Sequence, residues 1–412
     1  MSKLVINGNQ ELHGKVTLSG DQQTILAIQA AAILSTSGTV IVDNVPATAS
    51  ISRMIQLMRS IKGAVLFDRK QHVLKMDATQ HLTPTPLSGQ MLLAAGSILA
   101  RCRQVDLVDT GINPADSQLI IELAQLLSLM GAQVEQGDRG VHIRADYLKG
   151  TVISLVGKSL SSVLALMMAA TMADGITVLN DPPYAPAIFE LAKVLNKMGA
   201  RVHGAGTNTI RIQGVTFLHS TDYYALDDQD EAGTYLCLGA LTGGDVIVEG
   251  AQAVHLRLLM NHLEKMGNTV VVQRNGVRVI GTHVLIPDDV MPTLSQQCSN
   301  YLMTTLFALS LHALGKSQIW HCSKESREAI THVLQDADTD FKNGVLTING
   351  GHFKLPTSVQ TPTTLTGLAA LVMGLAGHDS LTLTPAEPAG ESFDHLLDQL
   401  IELGANLEIS FD

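Results

Sequence analysis

Met130-Gly131-Ala132-Gln133-Val134-Glu135-Gln136-Gly137-Asp138-Arg139-Gly140-Val141-His142-Ile143 reads as the end of a helix, a glycine stop and a β-hairpin. Ile120, Leu123, Leu126 and Leu127 precede it at helical spacing, so the helix is amphipathic and the glycine caps its C-terminus. The hairpin carries glycine at its turn, as does Val270-Val271-Val272-Gln273-Arg274-Asn275-Gly276-Val277-Arg278-Val279. The same phrase returns as Ile61-Lys62-Gly63-Ala64-Val65, Met198-Gly199-Ala200-Arg201-Val202, Met266-Gly267-Asn268-Thr269-Val270, Gln335-Asp336-Ala337-Asp338-Thr339 and Leu403-Gly404-Ala405-Asn406-Leu407. With Asp336 standing in for the fifth glycine, the spacings are 68, 68, 68, 69 and 68 residues, a regularity that chance does not produce. The chain is therefore read as six copies of one unit.

Earlier in the units lies an apolar helix followed by a small turn and a strand: Ala30 to Val42, Ala169 to Leu179, Leu236 to Val248, Leu306 to Ile319 and Leu368 to Leu383. Each unit thus reads β-α-β-α-β-β. Six such α+β units, three per domain, give two similar domains whose mutual cleft is the expected ligand site.

Composition agrees with two cores. A chain of 412 residues with 46% hydrophobic content exceeds what one core usually serves. With 35 Gly against 8 Phe, 6 Tyr and 1 Trp, the cores must be aliphatic and the turns many. The 27 Lys and Arg are outnumbered by 38 Asp and Glu, leaving a formal charge of −11 with no long basic cluster. That balance disfavours nucleic acid and anionic membranes as partners. The polar start Met1-Ser2-Lys3-Leu4-Val5-Ile6-Asn7-Gly8 does not read as a signal peptide, and no apolar run approaches a membrane span, so a cytoplasmic location is expected. Cys102, Cys237, Cys298 and Cys322 are far apart and lack metal-ligand spacing, so reduced thiols and no zinc site are expected.

With Leu12-His13-Gly14-Lys15-Val16-Thr17-Leu18-Ser19-Gly20 at the start and Leu400-Ile401-Glu402-Leu403-Gly404-Ala405-Asn406-Leu407-Glu408 at the end, this architecture resembles the enolpyruvyl transferases over essentially the whole chain. The spacing, with Met167-Met168-Ala169-Ala170-Thr171-Met172-Ala173-Asp174-Gly175 and Glu231-Ala232-Gly233-Thr234-Tyr235-Leu236, is closer to the UDP-N-acetylglucosamine 1-carboxyvinyltransferase branch, which begins peptidoglycan synthesis. The resemblance implies a two-domain inside-out α/β barrel, or inverse prism. One domain would be 21–226, and the other 1–20 with 227–412; the crossings fall near Ser19 to Asp21 and Leu226 to Asp228. It also implies addition of the enolpyruvyl group of phosphoenolpyruvate to a hydroxylated acceptor with loss of phosphate. Such chemistry needs Lys and Arg on phosphate and carboxylate, and an acid or thiol to move protons. No metal or organic cofactor is implied.

Several of the positions the family uses carry other residues here. Where the family has a lysine facing phosphoenolpyruvate after Ser-Gly, this chain has Asp21-Gln22-Gln23, with Gln22 toward the substrate. The loop that bears a catalytic Cys and an Arg before Pro is shortened to Leu107-Val108-Asp109-Thr110-Gly111-Ile112-Asn113-Pro114-Ala115-Asp116. It has no Cys, puts Asn113 where the Arg stands, and keeps Asp116 after the proline step that frames the uridine. The essential Asp maps to Tyr301 or Asn300, counting back from Gly315. An amide takes no proton at neutral pH, and an ordinary Tyr is a poor base there. The Arg near Thr366 is absent, and a C-terminal Arg maps to His395, which carries charge only conditionally.

Other positions match. Ser161-Ser162, after Gly157-Lys158, correspond to the serine pair that meets substrate phosphate or pyruvyl oxygens at a helix start. Asp228 and Glu231 match acidic positions at the domain crossing, and Lys324-Glu325-Ser326-Arg327 matches a segment whose acid and Arg reach the cleft. The resemblance thus assigns Glu325, Asn300 and Tyr301 to the catalytic positions. It assigns Gln22, Asn113, Asp116, Lys158, Ser161, Ser162, Asp228, Glu231, Arg327 and His395 to substrate binding.

Each of these has a plainer reading. Serines at a helix start are ordinary caps, and Asp227-Asp228-Gln229-Asp230-Glu231 complements a helix dipole. Glu325 and Arg327 suit a solvated helix start, and His395 a surface position. His321-Cys322 falls on the strand expected after Gly315 and reads as structural. Two functions remain: a divergent transferase acting on a less charged acceptor or a related enol phosphate, using Lys158, Ser161, Ser162, Glu325 and Arg327, or a catalytically inactive homologue that binds a metabolite or a partner protein as a regulator.

Overall fold

The helix ends repeat the same hydrogen-bond pattern in space as well as in sequence. The computed structural model describes residues 2–111, 114–291, 299–334, 336–351, 353–377, 379–384 and 396–411. Its helices are α1 (Gln22–Ala32), α2 (Ala49–Ser60), α3 (Ala95–Cys102), α4 (Pro114–Leu129), α5 (Leu160–Ala170), α6 (Pro186–Lys197), α7 (Gln229–Leu241), α8 (Ala253–Lys265), α9 (Asn300–His312), α10 (Lys324–Val333) and α11 (Thr364–Ala376). A further helical stretch covers 396–402.

After α6, the N–H of Gly199 reaches Asn196 O at 3.0 Å and that of Ala200 reaches Leu195 O at 2.9 Å, with Gly199 left-handed at φ 99°. Gly131, Gly267 and Gly404 repeat this at φ 88°, 99° and 99°. This is the paired closure that satisfies the last carbonyls of a helix. In the first copy the left-handed residue is Lys62, at φ 72°, and not the expected Gly63; Lys62 N–H reaches Arg59 O and Gly63 N–H reaches Met58 O. In the fifth copy α10 is followed by the extended Leu334, whose N–H bonds Ile330 O, and Gln335 lies outside the described residues.

Burial sorts the helices into two kinds. Ile25 to Ala32 of α1 and Ser162 to Ala170 of α5 are buried without a break, and so are Ala232 to Ala240 of α7, Leu302 to Leu311 of α9 and Thr366 to Leu375 of α11. These stretches carry no charged residue and many Ala and Leu, so they are apolar all round and can only be central. In α2, α6, α8 and α10 only one face is buried. Inner strands such as Asp245–Glu249 and Thr209–Gln213 alternate between buried and more open positions, so one face of the sheet lies on the helices, whereas edge strands such as Gln133–Gly137 are exposed throughout. The hairpins read from the sequence form, with Val134 opposite Ile143 and Val270 opposite Val279.

The chain divides into two compact units, Met1–Ser19 with Asp227–Asp412, and Gly20–Leu226. The division rests on an exchange of strands. His13–Thr17 precedes α1 in sequence but pairs in parallel with Asp245–Glu249, which follows α7. Asp222–Tyr224 precedes α7 but pairs in parallel with strand Val40–Asp43, which follows α1. Strand Ser2–Asn7 lies between Ser380–Thr384 and Asn406–Phe411, antiparallel to both. His321 and Cys322 lie outside any strand: Lys316–Trp320 ends before them, His321 is left-handed at φ 56°, and Cys322 turns inward to a buried position. Among the described residues no helix is long and apolar enough to cross a membrane.

Candidate functional site

In the unit Gly20–Leu226, the residues singled out lie at the starts of helices. Asp21 caps α1, accepting from Thr24 N–H at 2.8 Å, and Gln22 is half-buried in the first turn. The cap of α5 is Ser159, and not Ser161 or Ser162. Its hydroxyl accepts from Ser162 N–H at 3.3 Å and meets the Ser162 hydroxyl at 2.9 Å. Ser162 is buried, whereas Ser161 is partly open beside Lys158, and Gly157 at φ 70° makes the turn between strand and helix. The buried Glu122 of α4 accepts the Ser159 N–H at 2.8 Å and so ties α4 to the entry of α5.

Asp116 sits in the first turn of α4. A Cβ added to Gly89, which opens a 3-10 turn Gly89–Ala94, would lie 3.7 Å from its Oδ2. Burial, and then the charge of Asp109, push the Asp116 carboxyl up. Asp109 itself is held below the carboxylate range by the Ser117 hydroxyl and the Gly111 N–H. Asn113 lies outside the described residues.

The other unit joins three helix starts. Asp228 caps α7, accepting from the N–H groups of Asp230 (2.9 Å) and Glu231 (3.0 Å). Ser299, the cap of α9, donates its hydroxyl to Asp230 at 2.7 Å. Ser326 of α10 donates its hydroxyl to the carbonyl of Asn300 at 3.0 Å. Asp228, Glu231, Asn300, Tyr301, Glu325 and Arg327 are thereby gathered at adjoining starts of α7, α9 and α10. Glu231 accepts three hydrogen bonds, from Ser19 N–H and hydroxyl and from Tyr235 hydroxyl.

Tyr301 is packed against the core, and burial, then Asp228 and Asp230, push its phenol up to about 12. It stays protonated and cannot act as a base at neutral pH. The Arg327 guanidinium lies 3.5 Å over the ring of Phe341, and its Nε is buried without a hydrogen-bond partner. Glu325 is exposed in the first turn of α10. His395 lies outside the described residues.

The sequence reading missed a recurrent pair of hydroxyls. Ser159 and Ser162, Ser323 and Ser326, and Thr363 and Thr366 each place a capping hydroxyl against one three residues on, at 2.9, 2.8 and 2.8 Å. The Ser-x-x-Ser and Thr-x-x-Thr spacing was the available signal. It also missed Arg101, whose guanidinium donates to the carbonyls of Ile33 (2.8 Å), Ser35 (2.6 Å) and Ala78 (3.0 Å) and secures the end of α1.

Helices buried beneath half-exposed sheets, with polar groups at the helix starts, define a known class. The enolpyruvyl transferase NikO from Streptomyces tendae matches with a TM-score of 0.85 at 19% identity, over 99% of each chain. EPSP synthase from Acinetobacter baumannii matches with a TM-score of 0.78 at 20% identity, over 100% of each chain. The fold is thus that of the enolpyruvyl transferases. The family model for EPSP synthase (3-phosphoshikimate 1-carboxyvinyltransferase) matches residues 6–400. UDP-N-acetylglucosamine 1-carboxyvinyltransferase 1 of Halalkalibacterium halodurans is 32% identical over 417 residues, 99% of this chain and 94% of that protein. The chain belongs to the EPSP synthase family of enolpyruvyl transferases.

Proposed function

We propose that this family member keeps the carboxyvinyl transferase scaffold, has lost the transfer of enolpyruvate to UDP-N-acetylglucosamine, and uses the scaffold to bind a metabolite or partner protein as a regulator. The observation that carries this reading is how the polar groups at the starts of α7, α9 and α10 are engaged. Transfer requires a base for the acceptor hydroxyl, a proton donor to the methylene carbon and cations on the phosphate. Asp228 is engaged as a helix cap, and both oxygens of Glu231 accept hydrogen bonds. Tyr301 is held as a phenol and Arg327 is stacked on Phe341. Gln22 is neutral where the resemblance calls for a lysine. Each charge-assisted contact that is missing would weaken the binding of phosphoenolpyruvate by roughly 1.5–3 kcal/mol.

One observation favours a second reading. The first turn of α5 is capped by a neutral serine, and Ser161 and Lys158 are both partly open there. A helix N-terminus with a lysine just before it suits an anion, which here would compete with the Glu122 carboxylate that already accepts the Ser159 N–H. A transferase working on a less charged acceptor or a related enol phosphate could use that point, with Glu325 and Arg327.

The two readings separate in one experiment. The protein is titrated calorimetrically with phosphoenolpyruvate and UDP-N-acetylglucosamine, singly and together, while phosphate release is followed on the same sample. The regulator reading expects no phosphate at millimolar substrate. Phosphate release above the no-enzyme rate, lost in Ser161→Ala and Lys158→Gln, would overturn it in favour of the transferase.

A further inference from the structure

The unit Gly20–Leu226 contains a cavity of about 890 Å³ at the C-terminal ends of helices, away from the helix starts described above. It opens where α3, α5 and α6 finish, and it falls within the size range of small-molecule sites. Leu99, Leu148 and Ala173 form a buried apolar floor. At the rim stand Tyr147, 71% exposed, and Phe217, 65% exposed. A chain with only 8 Phe, 6 Tyr and 1 Trp thus leaves two large rings in solvent around one cavity.

Two cations face the same space. Arg103 follows α3 in the left-handed conformation at φ 61°, a position usually given to Gly or Asn. Its N–H bonds Leu99 O at 2.8 Å and its carbonyl accepts from Ala145 N–H at 2.9 Å, so its backbone is held at both ends. The guanidinium carbon lies 5.5 Å from the centre of the Tyr147 ring. Arg201 opens the strand Arg201–His203, in which Val202 is buried and Arg201 is exposed. Among the described residues neither arginine forms an ion pair with a carboxylate. The wall is preformed: a Cβ on Gly214 would fall 1.6 Å from Ala173 O, so these two backbones are already in closest contact.

We propose that this cavity is a second binding site, for a small organic anion that carries a planar aromatic ring. The ring packs against Tyr147 and Phe217, and the anionic group is held by Arg201 with Arg103. Asp146 and Asp174 share the lining and oppose an anion, so binding depends on both guanidinium groups. The site is separate from the helix starts invoked for the proposed function, and neither reading depends on the other.

The test is calorimetric titration of the full chain with 1-naphthyl phosphate, beside 1-naphthol and inorganic phosphate. Naphthyl phosphate should bind more tightly than either half. Arg201→Gln and Tyr147→Ala should each weaken it about tenfold or more, and Asp146→Asn should tighten it. All three side chains are exposed, and an unchanged melting temperature verifies that the variants fold. The proposal is overturned by absence of binding at millimolar ligand, by equal affinity in Arg201→Gln, or by inorganic phosphate binding as tightly as the aromatic ester.

Discussion

Glu231 Oε2 accepts hydrogen bonds from both the amide (3.0 Å) and the hydroxyl (2.8 Å) of Ser19, a residue 212 positions earlier in the chain. Its Oε1 accepts from the hydroxyl of the fully buried Tyr235 at 2.9 Å. Asp228 N–H adds a bond to Ser19 O at 2.8 Å. One carboxylate therefore holds the N-terminal segment against α7 within a single unit, and burial with its charge pushes the Tyr235 phenol upward.

Glu231→Gln keeps the side-chain shape but replaces one acceptor oxygen with a donor. One of three donors then faces an amide N–H₂, and the expected loss is about 1–3 kcal/mol. A shift of the urea midpoint at unchanged slope measures it. A wild-type midpoint would mean that the N-terminal segment is held by its strand pairing alone.

Lys62 occupies the left-handed turn that Gly131, Gly199, Gly267 and Gly404 take in the other copies. A side chain there is strained against its own carbonyl, while glycine loses more freedom on folding. Lys62→Gly should stabilise the protein by about 0.5–1 kcal/mol, read as a higher melting temperature, and Gly199→Lys should do the reverse. Stabilisation by both substitutions, or by neither, would refute the equivalence of these turns.

Asp109 and Asp116 flank the start of α4 and titrate in opposite senses. Asp109 is held low by the Ser117 hydroxyl and the Gly111 N–H. Its contribution is present above the unfolded value of about 3.9 and lost as pH falls through its lower folded value. Asp116 is pushed up by burial and by Asp109. Its contribution is present below the unfolded value and lost as pH rises through its higher folded value. Asp116→Asn should therefore raise the melting temperature at neutral pH and give a smaller gain near pH 3. Asp109→Asn should lower it at neutral pH, with the difference closing in acid; the same increment at every pH would rule this out.

Tyr301 stands where the resemblance calls for the base, and its phenol is pushed up to about 12. Tyr301→Phe should leave the tyrosinate absorbance at 295 nm unchanged up to about pH 11. Loss of one residue's worth of signal at or below about pH 10 in that variant would restore Tyr301 as a candidate base.

Much of the fold was legible because its signals are local. The recurrence of an apolar helix tail before a glycine and a hairpin depends on contacts three or four residues apart and on alternation along a strand, and both are written in neighbouring positions. Stretches such as Ile25 to Ala32 and Leu368 to Leu375 announce central helices because no charge interrupts them. The slip at Lys62 shows the limit of that reading. The pattern points to Gly63 as the turn, but backbone geometry places it one residue earlier, on a residue type that the pattern does not favour. His321 and Cys322 escaped for the same reason, a strand end set by a left-handed residue.

The sequence by itself determined the uninterrupted apolar stretches and the acidic balance, since these rest on composition and on short-range spacing, while the enolpyruvyl transferase resemblance rests on matched segments along the whole chain. Only the tertiary structure decided what each polar group does. It paired Glu231 with Ser19, capped α5 with Ser159 and not with Ser161 or Ser162, laid Arg327 on Phe341, and left Arg103 and Arg201 facing a cavity. A side chain's protonation and occupancy depend on which distant segments desolvate it or bond to it, and that proximity comes from chain folding rather than from neighbours in sequence.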